Sequence, residues 1–178
     1  DLAGAFRYLV PTYRGELRAN YLPNDKLRNR DRWSYGLPHT GTINTGLSSV
    51  GNLGLNLNLN RVSDNDYWKD FPARFGATTQ RLLSQDATLS WSRGFFATTL
   101  RTLKWQTLQD VTSPIVPPYD RLPQLTASYT RVDVPLGGLG NGFDWSIEGD
   151  YTRFSADRTL TNQPNSNRAY TRLQVSRP

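Results

Sequence analysis

The chain has 178 residues, a formal net charge of +6, a single histidine and no cysteine or methionine. The lack of cysteine excludes a disulfide framework and a thiolate metal site within this sequence, and one histidine nearly excludes a catalytic triad or a multi-histidine metal site. The 21 basic residues are scattered and meet 15 acidic ones, so the clustered phosphate contacts of a nucleic-acid-binding protein are not expected.

The composition also differs from that of an ordinary soluble domain. Lysine occurs at only three positions and glutamate at two, Glu16 and Glu148. Soluble domains usually cover their surface with these two residue types. The longest uninterrupted apolar runs contain three residues, whereas a transmembrane helix needs roughly 18. No membrane-spanning helix is therefore expected.

Polar and apolar side chains alternate along most of the chain, which predicts β-strands. In chain order, the clearest segments are Tyr13–Tyr21, Leu53–Asn60 and Phe143–Thr152. In the second of these, four leucines point to one side and one glycine and three asparagines to the other. The pattern predicts about nine strands, near residues 4–10, 13–21, 31–39, 52–62, 80–92, 95–108, 123–132, 142–154 and 168–177.

The predicted strands are long. Several contain 9–14 residues, whereas strands of globular proteins average about 5–6. About 9–11 residues of a tilted strand cross a bilayer. In the sixth strand the alternation slips between Leu100 and Leu103, which predicts a β-bulge.

The connections alternate between short and long. Short links are expected at Pro11-Thr12, Arg93-Gly94 and Leu136–Asn141, and Thr40–Gly51 is intermediate. The long polar links are Leu22–Arg30, Ser63–Thr79, Gln109–Leu122 and Ser155–Asn167. Outer-membrane barrels alternate short periplasmic turns with longer extracellular loops in this way.

These observations favour an all-β fold, an antiparallel up-and-down transmembrane β-barrel segment of about nine strands that does not close by itself. In such a barrel the apolar face meets lipid and the polar face lines a wet lumen. The candidates for lumen-facing side chains are Arg14, Glu16, Arg18, Asn56, Asn58, Asn60, Asp144, Glu148 and Asp150. A soluble barrel or sandwich that buries the apolar face is the alternative.

The link Ser63–Thr79 combines acidic and aromatic residues. Its three aspartates match the start of an EF-hand loop only at two positions, and the required glycine and distal glutamate are missing. We therefore expect no metal site but a solvated acidic loop. The aspartates and their expected partners are Asp64, Asp66 and Asp70, with Arg61, Lys69 or Arg74.

Three aromatic residues of the same link, Tyr67, Trp68 and Phe71, are unusual in a freely solvated loop. We expect them to fold back onto the rim or into the lumen and to cap it. No residue is predicted to be catalytic, and His39 is interpreted as a polar residue at a strand end.

A series of short motifs runs through the whole chain. They are Phe6-Arg7-Tyr8-Leu9-Val10-Pro11, Gly15-Glu16-Leu17, Tyr21-Leu22-Pro23-Asn24-Asp25, Arg32-Trp33-Ser34-Tyr35 with His39, Asn60-Arg61-Val62-Ser63-Asp64 with Tyr67-Trp68 and Asp70-Phe71, Thr88-Leu89-Ser90-Trp91, Lys104-Trp105-Gln106 and Leu122-Pro123-Gln124-Leu125. In this order they resemble the early barrel strands of the LptD family, outer-membrane proteins that assemble lipopolysaccharide.

The resemblance implies that residues 1–178 are a single segment of a C-terminal barrel of about 26 strands. It implies three partners, which are lipopolysaccharide, an LptE-like lipoprotein plug inside the lumen, and outer-membrane lipid. It also implies a location in the outer membrane of a bacterium. No cofactor and no covalent chemistry are implied, so the chain is not expected to be an enzyme. The lateral gate is expected upstream of Asp1.

Three other functions fit parts of the pattern. A porin-like pore has the same strands without the lipid cargo. A soluble β-sandwich could bind carbohydrate through exposed tryptophan and tyrosine. An omptin-like surface protease is disfavoured, because a lone His39 leaves too little catalytic equipment.

Overall fold

Nine antiparallel strands form one sheet in the computed structural model, which describes residues 2–71, 80–135, 137–140 and 142–177. The strands are β1 (Leu2–Val10), β2 (Tyr13–Asp25), β3 (Arg30–Asn44), β4 (Asn52–Val62), β5 (Leu82–Arg93), β6 (Phe96–Thr107), β7 (Asp120–Val134), β8 (Phe143–Ser155) and β9 (Ser166–Ser176). A four-residue helix, α1 (Tyr67–Asp70), follows β4, and a short 3₁₀ turn (Gly137–Leu139) follows β7. Over the described ranges no helix is both long and apolar enough to cross a membrane.

The strands follow one another in the sheet in chain order, β1 to β9. Each is joined to the next by a hairpin, as the alternating sequence pattern predicted. Within the described part of the chain, β1 and β9 each pair on one side only, so the sheet is open. The predicted all-β antiparallel fold of nine strands is therefore confirmed, and the two packed sheets of a sandwich are not found among the described residues.

Register pairs can be followed across all nine strands, and they separate the two faces of the sheet. Residues that lie opposite each other on antiparallel strands share a face, and successive residues of one strand alternate between faces. One row of paired residues reads Leu9, Arg14, Thr40, Asn56, Thr88, Arg101, Gln124, Thr152 and Arg168. The row one step away reads Val10, Tyr13, Gly41, Leu55, Leu89, Leu100, Leu125, Tyr151 and Ala169. We call these surfaces the polar face and the apolar face.

The sheet confirms one predicted feature of the strands and corrects another. The β6/β7 register shifts between Arg101 and Leu103, which confirms the predicted bulge. The predicted long link Leu22–Arg30 was wrong, because β2 continues to Asp25 and pairs there with Arg30, so only four residues connect the strands. An isolated sequence window could not reveal this pairing, since the local side chains do not alternate.

The connections fall at opposite ends of the sheet. Residues 26–29, 63–81, 108–119 and 156–165 connect strands at one end, which we call the loop end. Residues 11–12, 45–51, 94–95 and 135–142 connect them at the other, the turn end. The buried apolar cluster lies at the loop end and consists of Val62, Tyr67, Leu83 and Leu108. Among the described residues, the packed apolar cluster therefore lies where the loops meet the sheet.

Candidate functional site

All nine side chains that the sequence singled out as one set lie on the polar face. The set is Arg14, Glu16 and Arg18 on β2, Asn56, Asn58 and Asn60 on β4, and Asp144, Glu148 and Asp150 on β8. Their common face follows from the register pairs, which connect β2 to β8 through even-numbered residues of β3, β4, β5 and β7 and odd-numbered residues of β6. The alternation in the sequence therefore identified one surface, distributed over 137 residues of chain from 14 to 150.

Four acidic groups on the polar face are met by arginine. Glu16 accepts hydrogen bonds from Arg7 at 3.1 Å and from Arg18 at 2.7 Å. Further along the face, Arg101 forms an ion pair with Asp86. At the far edge the pairs are Asp150 with Arg168 and Glu148 with Arg172. The polar face is thus a ladder of opposite charges separated by amides and hydroxyls.

The apolar face carries large hydrophobic side chains that are substantially exposed. Leu17 on β2 is 42% exposed, Leu100 on β6 43% and Leu125 on β7 44%. Other exposed members of this face are Leu2, Phe6, Val10, Tyr13, Tyr21, Ile43, Phe96, Ile147, Tyr151, Leu173 and Val175. Monomeric soluble proteins rarely expose a contiguous apolar patch beyond a few hundred Å². This face is suited to an apolar environment.

Arg32 is the centre of the loop end. Its side chain is 1% exposed. The guanidinium donates to Asp64 through Nε at 2.9 Å and Nη2 at 3.0 Å, and through Nη1 to Asp25 at 3.1 Å and Asp70 at 2.7 Å. It also lies over the rings of Tyr67 and Phe71, at 5.3 Å and 4.8 Å from their centroids. A buried charge is tolerated only when it is paired in this way.

The helix α1 packs against the sheet on the side of the polar face. Tyr67 is buried and its hydroxyl donates to Oγ of Ser34 at 3.1 Å. Ser34 in turn accepts from the side chain of Asn20 on β2. Trp68 and Phe71 pack on the buried apolar cluster, and Nε1 of Trp68 is buried with no hydrogen-bond partner among the residues that the structure describes. Residues 63–71 therefore fold onto the sheet, as their aromatic content predicted, whereas residues 72–79 lie outside the described part.

Polar contacts connect the four loop-end connections in series. Arg28 pairs with Asp66 at 3.2 Å, which joins the first connection to the second. Lys69 pairs with Asp110 at 2.6 Å, which joins the second to the third. The hydroxyl of Tyr119 donates to the carbonyl of Pro164 at 3.1 Å, which joins the third to the fourth. We call this connected set of loops the loop layer.

Electrostatics in the loop layer favour ionised carboxylates. Hydrogen bonds from Lys69 and from the backbone and hydroxyl of Thr112 lower the pKa of Asp110 to about 2. Burial acts to raise the pKa of Asp64, but hydrogen bonds from Ser63 and Arg32 and the charge of Arg32 outweigh it, and the net pKa is lowered. Burial likewise opposes ionisation of Asp70, and the hydrogen bonds from Arg28 and Arg32 bring its pKa below the usual value.

The expected partners of the loop aspartates were wrong in most cases. Asp64 binds Arg32 and Arg30, Asp66 binds Arg28, and Asp70 binds Arg28 and Arg32. Two of the cations that were expected to bind these aspartates make other contacts. Lys69 binds Asp110, Arg61 lies over the ring of Trp33, and Arg74 lies outside the described residues. The true partners belong to the β2–β3 hairpin, more than 30 residues away in the chain, so sequence proximity could not find them.

His39 was also placed wrongly, since it lies inside β3 rather than at a strand end. It faces Gly15, with the ring of Tyr8 on the far side of that glycine, and the Tyr8 hydroxyl lies 2.6 Å from Nδ1 of His39. Within the described ranges no group of three or more acidic or histidine side chains is arranged to hold a metal ion.

Comparison with known proteins assigns the chain to a family. The family model of LPS transport system D, LptD, matches residues 30–178. The LPS-assembly protein LptD of Polaromonas sp. (strain JS666) is 78% identical over 178 residues, covering 100% of this chain and 22% of the relative. The protein of the same name from Paracidovorax citrulli is 54% identical over 180 residues, covering 99% and 21%.

A more distant relative, the LPS-assembly protein LptD of Cupriavidus metallidurans, is 35% identical over 180 residues, which is 100% of this chain and 20% of the relative. The chain thus spans about a fifth of the length of the curated relatives it matches. The family is one of transport and assembly proteins rather than of enzymes. With a matching family model over most of its residues and identities up to 78%, the chain belongs to the LptD family.

Proposed function

We propose that this chain is a part of the wall of an outer-membrane β-barrel that assembles lipopolysaccharide in the outer leaflet, and that residues 1–178 form a single segment of that barrel. The observation that carries the proposal is the separation of a row of nine paired aliphatic, aromatic and glycine residues from a row one step away in which eight of nine residues are polar. Such strict separation over long strands is the pattern of a transmembrane barrel.

The apolar face is assigned to lipid for an energetic reason. Each exposed leucine or aromatic side chain gains roughly 1.5–3 kcal/mol when it leaves water completely, and more than a dozen large hydrophobic side chains on this face are exposed. A hydrocarbon environment would supply this stabilisation to every strand at once. Because antiparallel strands satisfy their backbone groups between themselves, the sheet can enter lipid when its two edges continue into further strands.

The polar face is assigned to a wet lumen. Its nine candidate side chains, listed above from Arg14 to Asp150, are charged or amide groups that need water or each other. The charge ladder around Glu16 and Asp86 provides fixed partners within the wall. A lumen of this character can hold a lipoprotein plug of the LptE type, and we propose such a plug, lipopolysaccharide and outer-membrane lipid as the partners of the full-length protein.

The loop layer is assigned to the cell surface, with Tyr67, Trp68 and Phe71 as a cap at the rim of the lumen. Supporting this, α1 lies over the polar face, where the Tyr67 hydroxyl donates to Ser34. Longer connections face outward and shorter turns face the periplasm in barrels of this kind. No covalent step is proposed for any of these residues.

The facing of the wall is tested with single spin labels at each position from 53 to 60 in the full-length protein, reconstituted in bilayers. We expect labels at Leu53, Leu55, Leu57 and Leu59 to be relaxed by dissolved oxygen, which partitions into lipid. Labels at Asn56, Asn58 and Asn60 should be relaxed by a water-soluble nickel chelate. Loss of the two-residue period, or the opposite phase, would reject the assignment of faces.

The lipopolysaccharide function is tested separately, in cells where the full-length protein is depleted. We expect surface lipopolysaccharide, measured with an impermeant label on intact cells, to fall before the levels of other outer-membrane proteins do. Re-expression of the full-length protein should restore it. The porin-like alternative predicts instead that uptake of small solutes falls while surface lipopolysaccharide is unchanged.

A further inference from the structure

The β2/β3 pairing contains a gap that the flanking pairings do not share. Register pairs occur on both sides of it, Gly15 with His39 and Arg18 with Gly36, but the two pairs between them are absent. The register is the same before and after, so this is an interruption of pairing and not a bulge. By contrast, β3 and β4 are paired at every position from Ser34 to Asn44.

Pro38 accounts for the location of the gap. Even-numbered residues of β3 direct their backbone groups toward β2, as the hydrogen bond from the Thr42 amide to the Thr12 carbonyl shows. The carbonyl of Pro38 points the same way, since it lies close to Gly15. Proline has no N–H, so the missing donor falls on the β2 side, and the pairing of Pro38 with Asn58 of β4 is kept.

An open surface concavity of about 730 Å³, lined by residues of β1 to β5, includes this place. Among its lining residues are Gly15, Glu16, Pro38 and His39, which flank the missing pairs. Because Pro38 has no N–H and the two register pairs beside it are missing, β2 and β3 share fewer backbone hydrogen bonds here than on either side.

We call the interrupted stretch of β2/β3 pairing the seam. On the apolar face, a contact between side chains bridges it. The ring of Tyr8 extends from β1 across Gly15 of β2, and its hydroxyl lies 2.6 Å from Nδ1 of His39 on β3. Tyr13 stacks on the same imidazole at 6.0 Å between centroids. Gly15 is required for the bridge, because a methyl group there would collide with the Tyr8 ring. The bridge therefore connects three strands next to the place where backbone pairing fails.

From the interrupted pairing, the position of Pro38 and the Tyr8–His39 contact, we propose that the β2/β3 seam at Pro38 is a weakly paired, deformable line in the wall. The strands separate locally between Glu16 and Leu37 while β3 and β4 stay paired, and the Tyr8–His39 bridge limits the separation. A sheet with one such line can change its curvature there without breaking the neighbouring ladders. This inference rests on the proposed barrel only in treating the sheet as a barrel wall. The weak pairing itself is a property of β2 and β3.

The test is hydrogen–deuterium exchange of the full-length protein in lipid nanodiscs, followed over a peptide that covers residues 15–18. Pro38→Thr restores an amide donor on a residue suited to strands, and we expect it to slow exchange of this peptide by about tenfold. Tyr8→Phe removes the bridging hydroxyl and should speed exchange. Tyr21→Phe is the matched control, because it removes a tyrosine hydroxyl of β2 that binds Asp31 away from the seam.

A second variant keeps the proposal testable if Pro38→Thr does not assemble. A disulfide between Leu17→Cys and Leu37→Cys crosses the second missing pair, where the two side chains of a non-hydrogen-bonded pair are close enough to join. Its formation should slow exchange of residues 15–18 as the threonine does. Unchanged exchange in both the Tyr8→Phe protein and the cross-linked protein would overturn the proposal. The spin-label measurement is independent, so the seam and the membrane placement can fail separately.

Discussion

The guanidinium of Arg32 binds the carboxylate of Asp64 through two parallel hydrogen bonds of 2.9 and 3.0 Å. The two residues are 32 positions apart and belong to β3 and to the connection after β4. Because Arg32 also binds Asp25 and Asp70, one buried side chain holds the β2–β3 hairpin, α1 and the sheet together. We therefore expect the order of the loop layer to depend strongly on this residue.

Replacing Arg32 with glutamine should therefore release residues 63–71. Breaking a buried ion pair by removing one partner costs about 3–5 kcal/mol, and here the loss leaves three carboxylates without their shared cation. The measurement is the rate of proteolytic cleavage within residues 63–71 of the full-length protein. Arg28→Gln is the control, since Arg28 is more exposed than Arg32 and its loss should have a much smaller effect. Equal cleavage of the two variants would contradict the central role of Arg32.

The facing of β4 predicts unequal costs for arginine at adjacent positions. Leu57 pairs with His39 and Ala87 on the apolar face, and Asn58 pairs with Pro38 and Asp86 on the polar face. In the intact barrel, Leu57→Arg should cost roughly 2–4 kcal/mol near mid-membrane and Asn58→Arg far less. Folding of the full-length protein into bilayers from urea measures both. Equal costs at the two positions would show that the faces are not separated by lipid.

The separation of loop end and turn end predicts a defined orientation in the membrane. Asn65 and Asn165 are exposed at the loop end, and Gly138 is exposed at the turn end with open space around its Cα. Cysteines placed at Asn65 and Asn165 should react with an impermeant maleimide on whole cells, and a cysteine at Gly138 should react only after the cells are broken. The unmodified full-length protein gives the background. Labelling of the Gly138 position alone would place the loop layer in the periplasm.

Much of the fold could be predicted from the sequence, because the alternation of polar and apolar residues that indicates a strand is visible within a short segment. The period of two in Leu53–Asn60 depends only on neighbouring residues, and the slip between Leu100 and Leu103 fixes the bulge in the same way. Hairpins of consecutive strands then set the topology, since each strand pairs with the next. The polar face followed from the same alternation.

The parts that escaped prediction depend on contacts distant in sequence. Nothing near Arg32 indicates that its partners include Asp64 and Asp70, and nothing near His39 indicates that Tyr8 reaches it across Gly15. Gln106 is a further case, since its side-chain amide bonds both backbone groups of Val62, beyond the last β4/β5 register pair. Such contacts are decided by the register of several strands together, which a single window of sequence does not contain.

The contact between Lys69 and Asp110 should make the joint between two loops sensitive to acid. The pKa of Asp110 is lowered to about 2 in the folded protein, from about 3.9 in an unfolded chain. A carboxylate with a lowered pKa stabilises the fold above its unfolded pKa, and this contribution is lost as the pH falls through the folded value. The joint should therefore be intact at pH 5 and weaken between about pH 4 and pH 2.

Pepsin cleavage within residues 108–119 of the full-length protein measures this weakening. In the Lys69→Gln protein the strongest partner of Asp110 is absent, so its cleavage should already be fast at the upper end of this range and should change less with pH. Cleavage of an unrelated substrate corrects for the activity of pepsin itself. Identical pH profiles for the two proteins would show that the contact does not hold the loops together.

Replacement of Tyr67, Trp68 and Phe71 together by serine tests whether α1 caps the lumen. Tyr67 is buried against Val62, Leu83 and Leu108, and removing a buried aromatic ring costs about 3–5 kcal/mol, so residues 63–71 should leave the sheet. In the proposed barrel this opens the rim above the polar face. Cells that carry the variant should then admit large antibiotics, while surface lipopolysaccharide falls only modestly, because the gate is expected elsewhere.

The matched control replaces Leu27 and Val111 by serine, since these two hydrophobic side chains of the loop layer are 88% and 100% exposed. They contribute no packing that the substitution could remove, so the control cells should keep their permeability barrier. Both variants are compared at equal levels of folded protein in the outer membrane, which separates an open rim from a failure of assembly. If the triple variant keeps the barrier as well as the control does, then α1 is a packed part of the wall and does not close the lumen.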